Sequence, residues 1–289
     1  MNLADLGYDA HFESAFGEVC GFGMVPARVT AEHRGKYSLR TVDGDMPGEP
    51  TGRLRYCTES REDFPAVGDW VTATVLDGGD RAVIHHVLPR RTEIRRKEAG
   101  NRYAGQVIAG NVDTVFIIQG LDGDFNIRRL ERYLILALES GAGPVVLLSK
   151  SDLCSCAELK EKSELAEKVS AGFPVHSFSS LAGDGLDGVR RYVEPGKTVC
   201  FIGSSGAGKS TLINALAGEE LLATASVRNG DSKGRHTTAA RQMLFLPGGG
   251  IVIDTPGMRE IGLLDESSAS DAVFPEIAER APECRYSDC

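Results

Sequence analysis

The sequence has no apolar run near the roughly 18 residues that a membrane-spanning helix needs. Its N-terminus carries Asp5, Asp9 and Glu13 and lacks the basic and apolar segments of a secretory signal. Basic residues are outnumbered, 32 Lys and Arg against 41 Asp and Glu, so the chain as a whole is not built to bind polyanions. Seven cysteines are an odd number and do not indicate a disulfide framework. We therefore expect a cytoplasmic protein without a membrane segment.

Apolar residues, by contrast, are plentiful enough for a large core. The 42% hydrophobic and 25% charged residues are typical of globular proteins, and 289 residues predict about two domains. We predict an N-terminal segment with a small all-β barrel of the OB type over residues 1–90 and a basic linker over 91–110. An α/β domain over 111–265 and a C-terminal segment over 266–289 follow.

Short strands separated by glycine-rich turns characterise the first ninety residues. The predicted strands are 24–29, 36–40, 67–75 and 82–84, at the spacing of a small barrel. Because large aromatic side chains are usually buried, Trp70 is expected in the barrel core.

From residue 111 onwards, strands alternate with helices. The runs 114–118 and 144–148 are continuously apolar, as in strands covered on both faces, and 128–140 has apolar residues at helical spacing. The pattern continues with a predicted helix over 157–170 and predicted strands over 173–178, 197–202 and 251–253. This alternation predicts a mostly parallel sheet.

Residues 203–210 fit the phosphate-binding loop pattern in full, between a predicted strand and a predicted helix. Glycines let the backbone N–H groups of such a loop point inward, and the helix N-terminus adds positive potential. Lys209 reaches the β and γ phosphates and stabilises charge during catalysis, while the Ser210 hydroxyl ligates Mg²⁺. The residues predicted to bind nucleotide here are Gly203, Ser204, Ser205, Gly206, Ala207, Gly208, Lys209, Ser210 and Thr211.

An Asp-Thr-Pro-Gly turn at 254–257 follows an apolar strand about fifty residues downstream. Asp254 is predicted to hold Mg²⁺ through water, and the Gly257 N–H to meet a γ-phosphate. In the polar stretch between, Thr237 or Thr238 is predicted to complete the Mg²⁺ shell. The alternative for that stretch is a solvated loop.

A base-reading motif ends the strand 144–148. The Asp152 carboxylate can accept two hydrogen bonds from guanine, and the aliphatic stem of Lys150 can lie over the base plane. GTPases usually have Asn where this chain has Ser149, a departure that weakens the expected tie to the phosphate loop. The pair Ser179 and Ser180 matches the base-contacting Ser-Ala turn of GTPases in its first residue only.

The order of these motifs is unusual. The base-reading motif precedes the phosphate loop by about fifty residues, whereas in ordinary GTPases it follows that loop. This order predicts a circularly permuted P-loop GTPase domain, an arrangement that keeps the core intact because domain termini are often close together.

Four segments together resemble the ribosome small-subunit-dependent GTPase A (RsgA) family, also called YjeQ or EngC. They are Gly-Arg-His-Thr-Thr at 234–238, the phosphate loop at 203–211, Asp-Thr-Pro-Gly-Met-Arg-Glu at 254–260 and Phe-Pro-Ala-Val-Gly-Asp-Trp at 64–70. The resemblance covers essentially the whole chain. It implies an OB-type barrel, a GTPase that binds GTP or GDP with Mg²⁺, and a C-terminal zinc module. It also implies a role in late maturation of the small ribosomal subunit.

Two positions depart from that family. Ala239 stands where a third threonine often follows the pair, so the Mg²⁺ ligand is expected at Thr237 or Thr238. Cys284 and Cys289 match the first pair of the zinc module, but two thiolates cannot form a closed tetrahedral site. Either the chain is truncated or its zinc module is absent.

Hydrolysis requires a water in line with the γ-phosphate. Met258 occupies the position where many GTPases use glutamine, and its side chain cannot orient water. His236, beside the threonines, is the expected catalytic residue on its chemistry and on the resemblance. The alternative is a loop histidine that touches phosphate or RNA. We expect slow hydrolysis that accelerates when a partner fixes this loop.

Two local basic clusters suggest an RNA partner despite the acidic total. Residues 90–102 carry an excess of four positive charges and residues 228–241 an excess of three. The expected partners are the small ribosomal subunit and its rRNA, bound by a monomer. Solvated charged faces are the alternative for both clusters. The competing functions are a P-loop ATPase or kinase, and an RNA-binding module in which nucleotide only locks a conformation.

Overall fold

A computed structural model describes residues 2–33, 35–58, 60–76, 78–97, 105–222, 241–254 and 273–280. The strands in these ranges are β1 (Met24–His33), β2 (Lys36–Thr41), β3 (Gly44–Pro50), β4 (Trp70–Val75), β5 (Ala82–Val87), β6 (Glu93–Lys97), β7 (Gly105–Gly110), β8 (Thr114–Gly120), β9 (Gly143–Ser149), β10 (Val175–Ser177), β11 (Thr198–Gly203), β12 (Arg241–Phe245) and β13 (Ile251–Asp254). The α-helices are α1 (Ala10–Val19), α2 (Gly52–Cys57), α3 (Ile127–Glu139), α4 (Cys156–Val169), α5 (Leu186–Arg190), α6 (Lys209–Ala217) and α7 (Pro275–Arg280). Single 3-10 turns span Ala4–Leu6, Arg61–Asp63 and Ser151–Leu153.

Strands β1–β5 close into the predicted N-terminal barrel. Strand β1 pairs antiparallel with both β2 and β4, β2 pairs with β3, and β5 joins β3 to β4. At Arg28, β1 pairs with Arg40 on one side and with Trp70 on the other. Apolar side chains fill the interior, among them Ala27, Val29, Leu39, Met46, Val71, Ala73 and Ile84. The prediction of an OB-type barrel is confirmed.

Trp70 is fully buried, but not in the barrel interior. Its ring lies 4.8 Å from the ring of Tyr8 and 5.9 Å from that of Phe12, between centroids. The cluster also contains Leu6 and Leu88. The expected position of Trp70 is therefore wrong, because the N-terminal turn and α1 cover the outside of the barrel and bury it there.

The second part is a six-stranded sheet in the order β10-β9-β8-β11-β13-β12. All neighbours in it are parallel except β12, which runs antiparallel to β13. Alternate residues of β8 enter two cores: Val115 and Ile117 pack with α3, whereas Phe116 and Ile118 pack with α6. This burial on both faces explains the continuously apolar run. The permuted α/β fold is confirmed.

The segment predicted as a basic linker contains strands β6 and β7, which pair antiparallel. Arg90, the first residue of the basic cluster at 90–102, is turned inward: its Nε and Nη2 lie 2.9 and 2.7 Å from the carboxylate oxygens of the fully buried Asp69. The charge of Arg90 is therefore engaged by a buried carboxylate rather than presented at a basic surface. The domain boundaries at 90, 110 and 265 stay predictions, and of residues 266–289 the structure describes only 273–280.

One continuous sheet joins the two parts. Strand β12 pairs antiparallel with β1, at Ala31 with Gln242 and at Glu32 with Arg241. An ion pair of 3.7 Å between Arg241 and Glu32 reinforces this pairing. The barrel and the α/β sheet therefore share a backbone hydrogen-bond ladder.

Arg28 is buried where the two parts meet, with 1% of its surface exposed. Its guanidinium donates to the Gly68 and Asn111 carbonyl oxygens at 3.2 Å, to Thr198 Oγ1 at 2.8 Å and to the Leu6 carbonyl oxygen. Desolvation by burial lowers its pKa to about 10, so it stays charged at neutral pH. One side chain thus links the N-terminal turn, the barrel, the residue after β7 and the start of β11.

Replacing Arg28 with Met is expected to lower the free energy of unfolding by about 3 kcal/mol, because buried acceptors lose their donor. Chemical denaturation of purified protein measures this. The matched Arg128→Met variant changes an arginine with 81% of its side chain exposed, and a shift of about 0.5 kcal/mol or less is expected. Equal shifts in both variants would contradict the role of Arg28.

Candidate functional site

The predicted site residues converge at one edge of the α/β sheet. Gly120 at the end of β8 pairs with Ser149 at the end of β9, and Gly203 at the end of β11 pairs with Ile118. Strand β13 runs parallel to β11 and ends at Asp254. Because parallel strands bring their carboxyl ends to one edge, the phosphate loop, the base-reading motif and Asp254 face a common space.

The 203–208 loop has the backbone that a phosphate cradle needs. Gly206 and Gly208 adopt left-handed conformations, with φ of +79° and +97°, which glycine accommodates without a Cβ clash. A Cβ at Gly203 would lie 2.5 Å from the Ile118 carbonyl oxygen, so the close contact of β11 with β8 requires glycine. Helix α6 begins directly after the loop at Lys209. Its N-terminus supplies backbone N–H donors and positive potential.

Lys209 lies across this loop. Its Nζ donates to the carbonyl oxygens of Gly203 and Ser204, both at 2.6 Å. Ser210 and Thr211 follow in the first turn of α6. The arrangement holds an ammonium group at the mouth of the loop, where it can meet phosphate oxygens.

Ser149 ties the base-reading motif to the phosphate loop. Its buried hydroxyl lies 2.6 Å from the Ala207 carbonyl oxygen, as donor, and 3.2 Å from that of Gln119. That serine holds the phosphate loop less firmly than asparagine would stays a prediction. The structure supplies a short hydrogen bond.

Lys150 adopts a left-handed conformation, with φ of +63°, which is unusual for a residue with a Cβ. Its Nζ donates to Asp122 Oδ2 at 2.5 Å. This hydrogen bond, opposed by partial burial, lowers the pKa of the Asp122 carboxyl below its usual value. A strained backbone and a fixed ammonium group are features typical of functional sites.

Asp152 and the Ser179–Ser180 pair come from neighbouring strand ends. The Ser151 N–H donates to the Phe178 carbonyl oxygen at 3.2 Å, which joins the two turns. Asp152 is exposed at the site, whereas Ser179 is buried and its Oγ accepts from the Ala182 N–H at 3.1 Å. The Asp152 carboxylate is therefore exposed where a nucleotide base could reach it. The Ser179 side chain instead stabilises the turn that follows β10.

Ser210 and Asp254 supply the kind of oxygen ligands that Mg²⁺ prefers, a hydroxyl and a carboxylate. Both lie at the same sheet edge, and both are partly exposed. This donor set fits a hydrated Mg²⁺ ion. The remaining predicted residues lie outside the described residues: His236, Thr237, Thr238, Gly257, Cys284 and Cys289.

The structure adds two residues that the sequence analysis missed, Asp122 and Asp124. Asp122 holds Lys150, and Asp124 Oδ2 accepts from the Ser204 hydroxyl of the phosphate loop. The signal was available, since both follow β8 at the carboxyl edge of the sheet. It was missed because Leu-Asp-Gly-Asp-Phe also fits an ordinary turn.

Comparison with known proteins gives a consistent result. A family described as RsgA GTPase matches residues 87–264. "Small ribosomal subunit biogenesis GTPase RsgA" from Opitutus terrae is 45% identical over 100% of this chain and 81% of its own length. "Small ribosomal subunit biogenesis GTPase RsgA 2" from Lactiplantibacillus plantarum is 45% identical over 92% of this chain and 74% of its own.

Two solved structures are also similar. YjeQ from Thermotoga maritima has a TM-score of 0.68 and 25% identity, covering 92% of this chain and 86% of its own. YloQ, "a circularly permuted GTPase", has a TM-score of 0.63 and 20% identity, covering 93% and 84%, and supports the fold alone. Among the described residues, no helix is long and apolar enough to cross a membrane.

Replacing Ser149 with Ala is expected to weaken GDP binding about fivefold, because the link to Ala207 is lost. Replacement with Thr keeps the hydroxyl and is expected to retain most of the affinity. Titration with a fluorescent GDP analogue measures both. The control is Ser140→Ala, which removes a buried hydroxyl that donates to the Ala137 carbonyl oxygen at 2.6 Å in α3. A Ser149→Ala variant that binds like Ser140→Ala would contradict the tie.

Proposed function

The chain belongs to the RsgA GTPase family, and we propose that it hydrolyses GTP to GDP and phosphate during late maturation of the small ribosomal subunit. The observation that carries this proposal is the direct hydrogen bond from Ser149, in the base-reading motif, to Ala207, in the phosphate loop. This contact, between two sequence motifs that are about fifty residues apart, supports a single nucleotide site formed by both.

Recognition of GTP is divided between the two loops. Asp152 accepts hydrogen bonds from guanine N1 and its exocyclic amine, which adenine cannot offer as a pair. Ser179 and Ser180 border the base, and Lys150 covers its plane. Residues 203–211 hold the phosphates through backbone N–H groups and the Lys209 ammonium.

Four residues are proposed to hold Mg²⁺: Ser210, Asp254, Thr237 and Thr238, one or both threonines acting when their loop closes. When bound, Mg²⁺ neutralises charge on the β and γ phosphate oxygens. The Gly257 N–H meets the γ-phosphate. Zinc at Cys284 and Cys289 would need further ligands, because two thiolates do not complete a tetrahedral site.

Catalysis rests on charge stabilisation and on a positioned water. Lys209 stabilises the charge that develops on the transferred phosphoryl group. His236 orients the attacking water, since Met258 has no hydrogen-bonding group for this task. We expect slow intrinsic hydrolysis that accelerates when a partner fixes the segment containing His236.

The proposed partner is the small ribosomal subunit with its rRNA, and the relatives from Opitutus terrae and Lactiplantibacillus plantarum are named small ribosomal subunit biogenesis GTPases. Basic residues at 228–241 and in β6 are the proposed phosphate-backbone contacts. Arg90 is excluded from them because its guanidinium is paired with the buried Asp69 and only 12% of its side chain is exposed. We propose a monomer acting in the cytoplasm.

Purified small ribosomal subunits are expected to raise GTP turnover by at least about 10-fold, because the partner fixes the catalytic loop. Phosphate release with and without subunits measures this, and ATP is the control nucleotide. ATP turnover equal to GTP turnover would favour the ATPase or kinase alternative.

In the same assay, the Asp152→Asn variant is expected to prefer XTP to GTP. The base of XTP presents a hydrogen-bond acceptor in place of the guanine amine, and the asparagine amide can donate to it.

Replacing His236 with Ala is expected to lower subunit-stimulated kcat by about 100-fold while GTP binding is retained. Single-turnover hydrolysis on subunits, with GTP affinity measured in parallel, tests this. His11→Ala removes an exposed histidine from α1 and serves as the matched control. Unchanged stimulated turnover in His236→Ala would support the module that uses nucleotide only as a conformational lock.

A further inference from the structure

The loop between β8 and α3 touches both halves of the nucleotide site. It comprises Leu121, Asp122, Gly123, Asp124 and Phe125 and is called the acidic loop below. Two carboxylates beside a phosphate site are unfavourable by themselves, because like charges repel. Each carboxylate in this loop, however, has a defined cationic partner.

Asp122 uses its two oxygens in opposite directions. Oδ2 accepts from the Lys150 ammonium at 2.5 Å, and Oδ1 accepts from the Asp124 N–H at 3.1 Å. The first contact restrains the side chain that covers the base. The second closes a turn that fixes the backbone at Asp124.

Asp124 continues the connection to the phosphate side. Its Oδ2 accepts from the Ser204 hydroxyl, in the first variable position of the phosphate loop. The same oxygen pairs with Arg129 Nη2 at 3.0 Å, which balances the carboxylate charge. An uninterrupted series of contacts therefore runs from Lys150 through the acidic loop to Ser204.

The ends of the acidic loop are fixed. The Gln119 side chain donates to the Asn126 carbonyl oxygen and accepts from its N–H, both at 2.9 Å. A Cβ at Gly120 would lie 2.7 Å from Asp122 Oδ1, so glycine leaves room for the carboxylate. A loop held in this way can position other groups, because its own conformation is determined.

We propose that Asp122 is a positioning residue that sets Lys150 over the base and, through Asp124, holds Ser204 at the phosphate loop. The inference rests on the proposed function only in taking the 149–152 segment as the base-reading motif. With its ammonium group held by Asp122, the aliphatic stem of Lys150 is restricted to conformations that can cover a purine. Ordering this side chain before binding lowers the entropic cost of recognition.

Two substitutions of Asp122 separate its roles. Asp122→Asn keeps an oxygen for the Asp124 N–H but loses the negative charge that holds Lys150, whereas Asp122→Ala loses both. Asp122→Asn is expected to weaken GDP and IDP binding alike, by about 10-fold, without changing inhibition by inorganic pyrophosphate. Asp122→Ala is expected to weaken pyrophosphate binding as well, by about threefold. Competition against a fluorescent GDP analogue gives all these affinities.

A double-mutant cycle tests whether Asp122 acts through Lys150. In a Lys150→Met background, Asp122→Asn is expected to cause less than about a twofold further loss of GDP affinity. Additive losses would overturn the proposal, because Asp122 would then not act through Lys150. A changed ratio of GDP to IDP affinity would also overturn it, because it would show a structural defect that disturbs Asp152. Asp187→Asn, on the exposed part of α5, is the matched control.

The readout is independent of the ribosome. If wild-type protein binds GDP but small subunits do not stimulate turnover, the proposed function fails while the cycle still decides the role of Asp122. If stimulation is present and Asp122→Asn binds GDP as wild type does, only the inference about Asp122 is overturned.

Discussion

The guanidinium of Arg28 is the interaction on which the arrangement of the two parts depends. It is a buried charged group whose hydrogen-bond acceptors are all uncharged oxygens, and each of these acceptors belongs to a different segment. Burial of such a charge is tolerated only when its donors are satisfied, so the four segments are held where the guanidinium needs them. One of these, Thr198, starts the strand that ends in the phosphate loop. The position of the phosphate loop is thus set at both ends of β11: by Arg28 at the start of the strand and by contacts of the loop at its end.

The permuted order of motifs has a simple structural basis. A parallel sheet gathers loops at one edge whatever the chain order of its strands, provided that the neighbours are kept. Here β11, which carries the phosphate loop, lies beside β8 and β13, and β9 lies beyond β8. Ser149 and Ala207 therefore meet although the base-reading motif comes first in the sequence.

The sequence predicted those features that local pattern determines. The phosphate loop, its strand and helix, and the continuous apolar strands were recognised because spacing alone identifies them. Contacts between distant segments were not predictable in this way. Nothing around Arg28 or Arg90 in sequence distinguishes them from surface arginines, and Trp70 was assigned to the wrong core because the covering helix lies sixty residues away. The acidic loop was missed because its sequence also fits an ordinary turn, and only its contacts with two other strand ends mark it as part of the site.

The pairing of β1 with β12 has a consequence for the α/β part taken alone. Strand β12 stands at the border of the α/β sheet, and β1 covers its outer side. Without β1, strand β12 would present unpaired backbone N–H and C=O groups, the kind of sheet edge that pairs with foreign strands and aggregates. The barrel, whose own strands are closed on one another, thus covers an aggregation-prone edge of the α/β part.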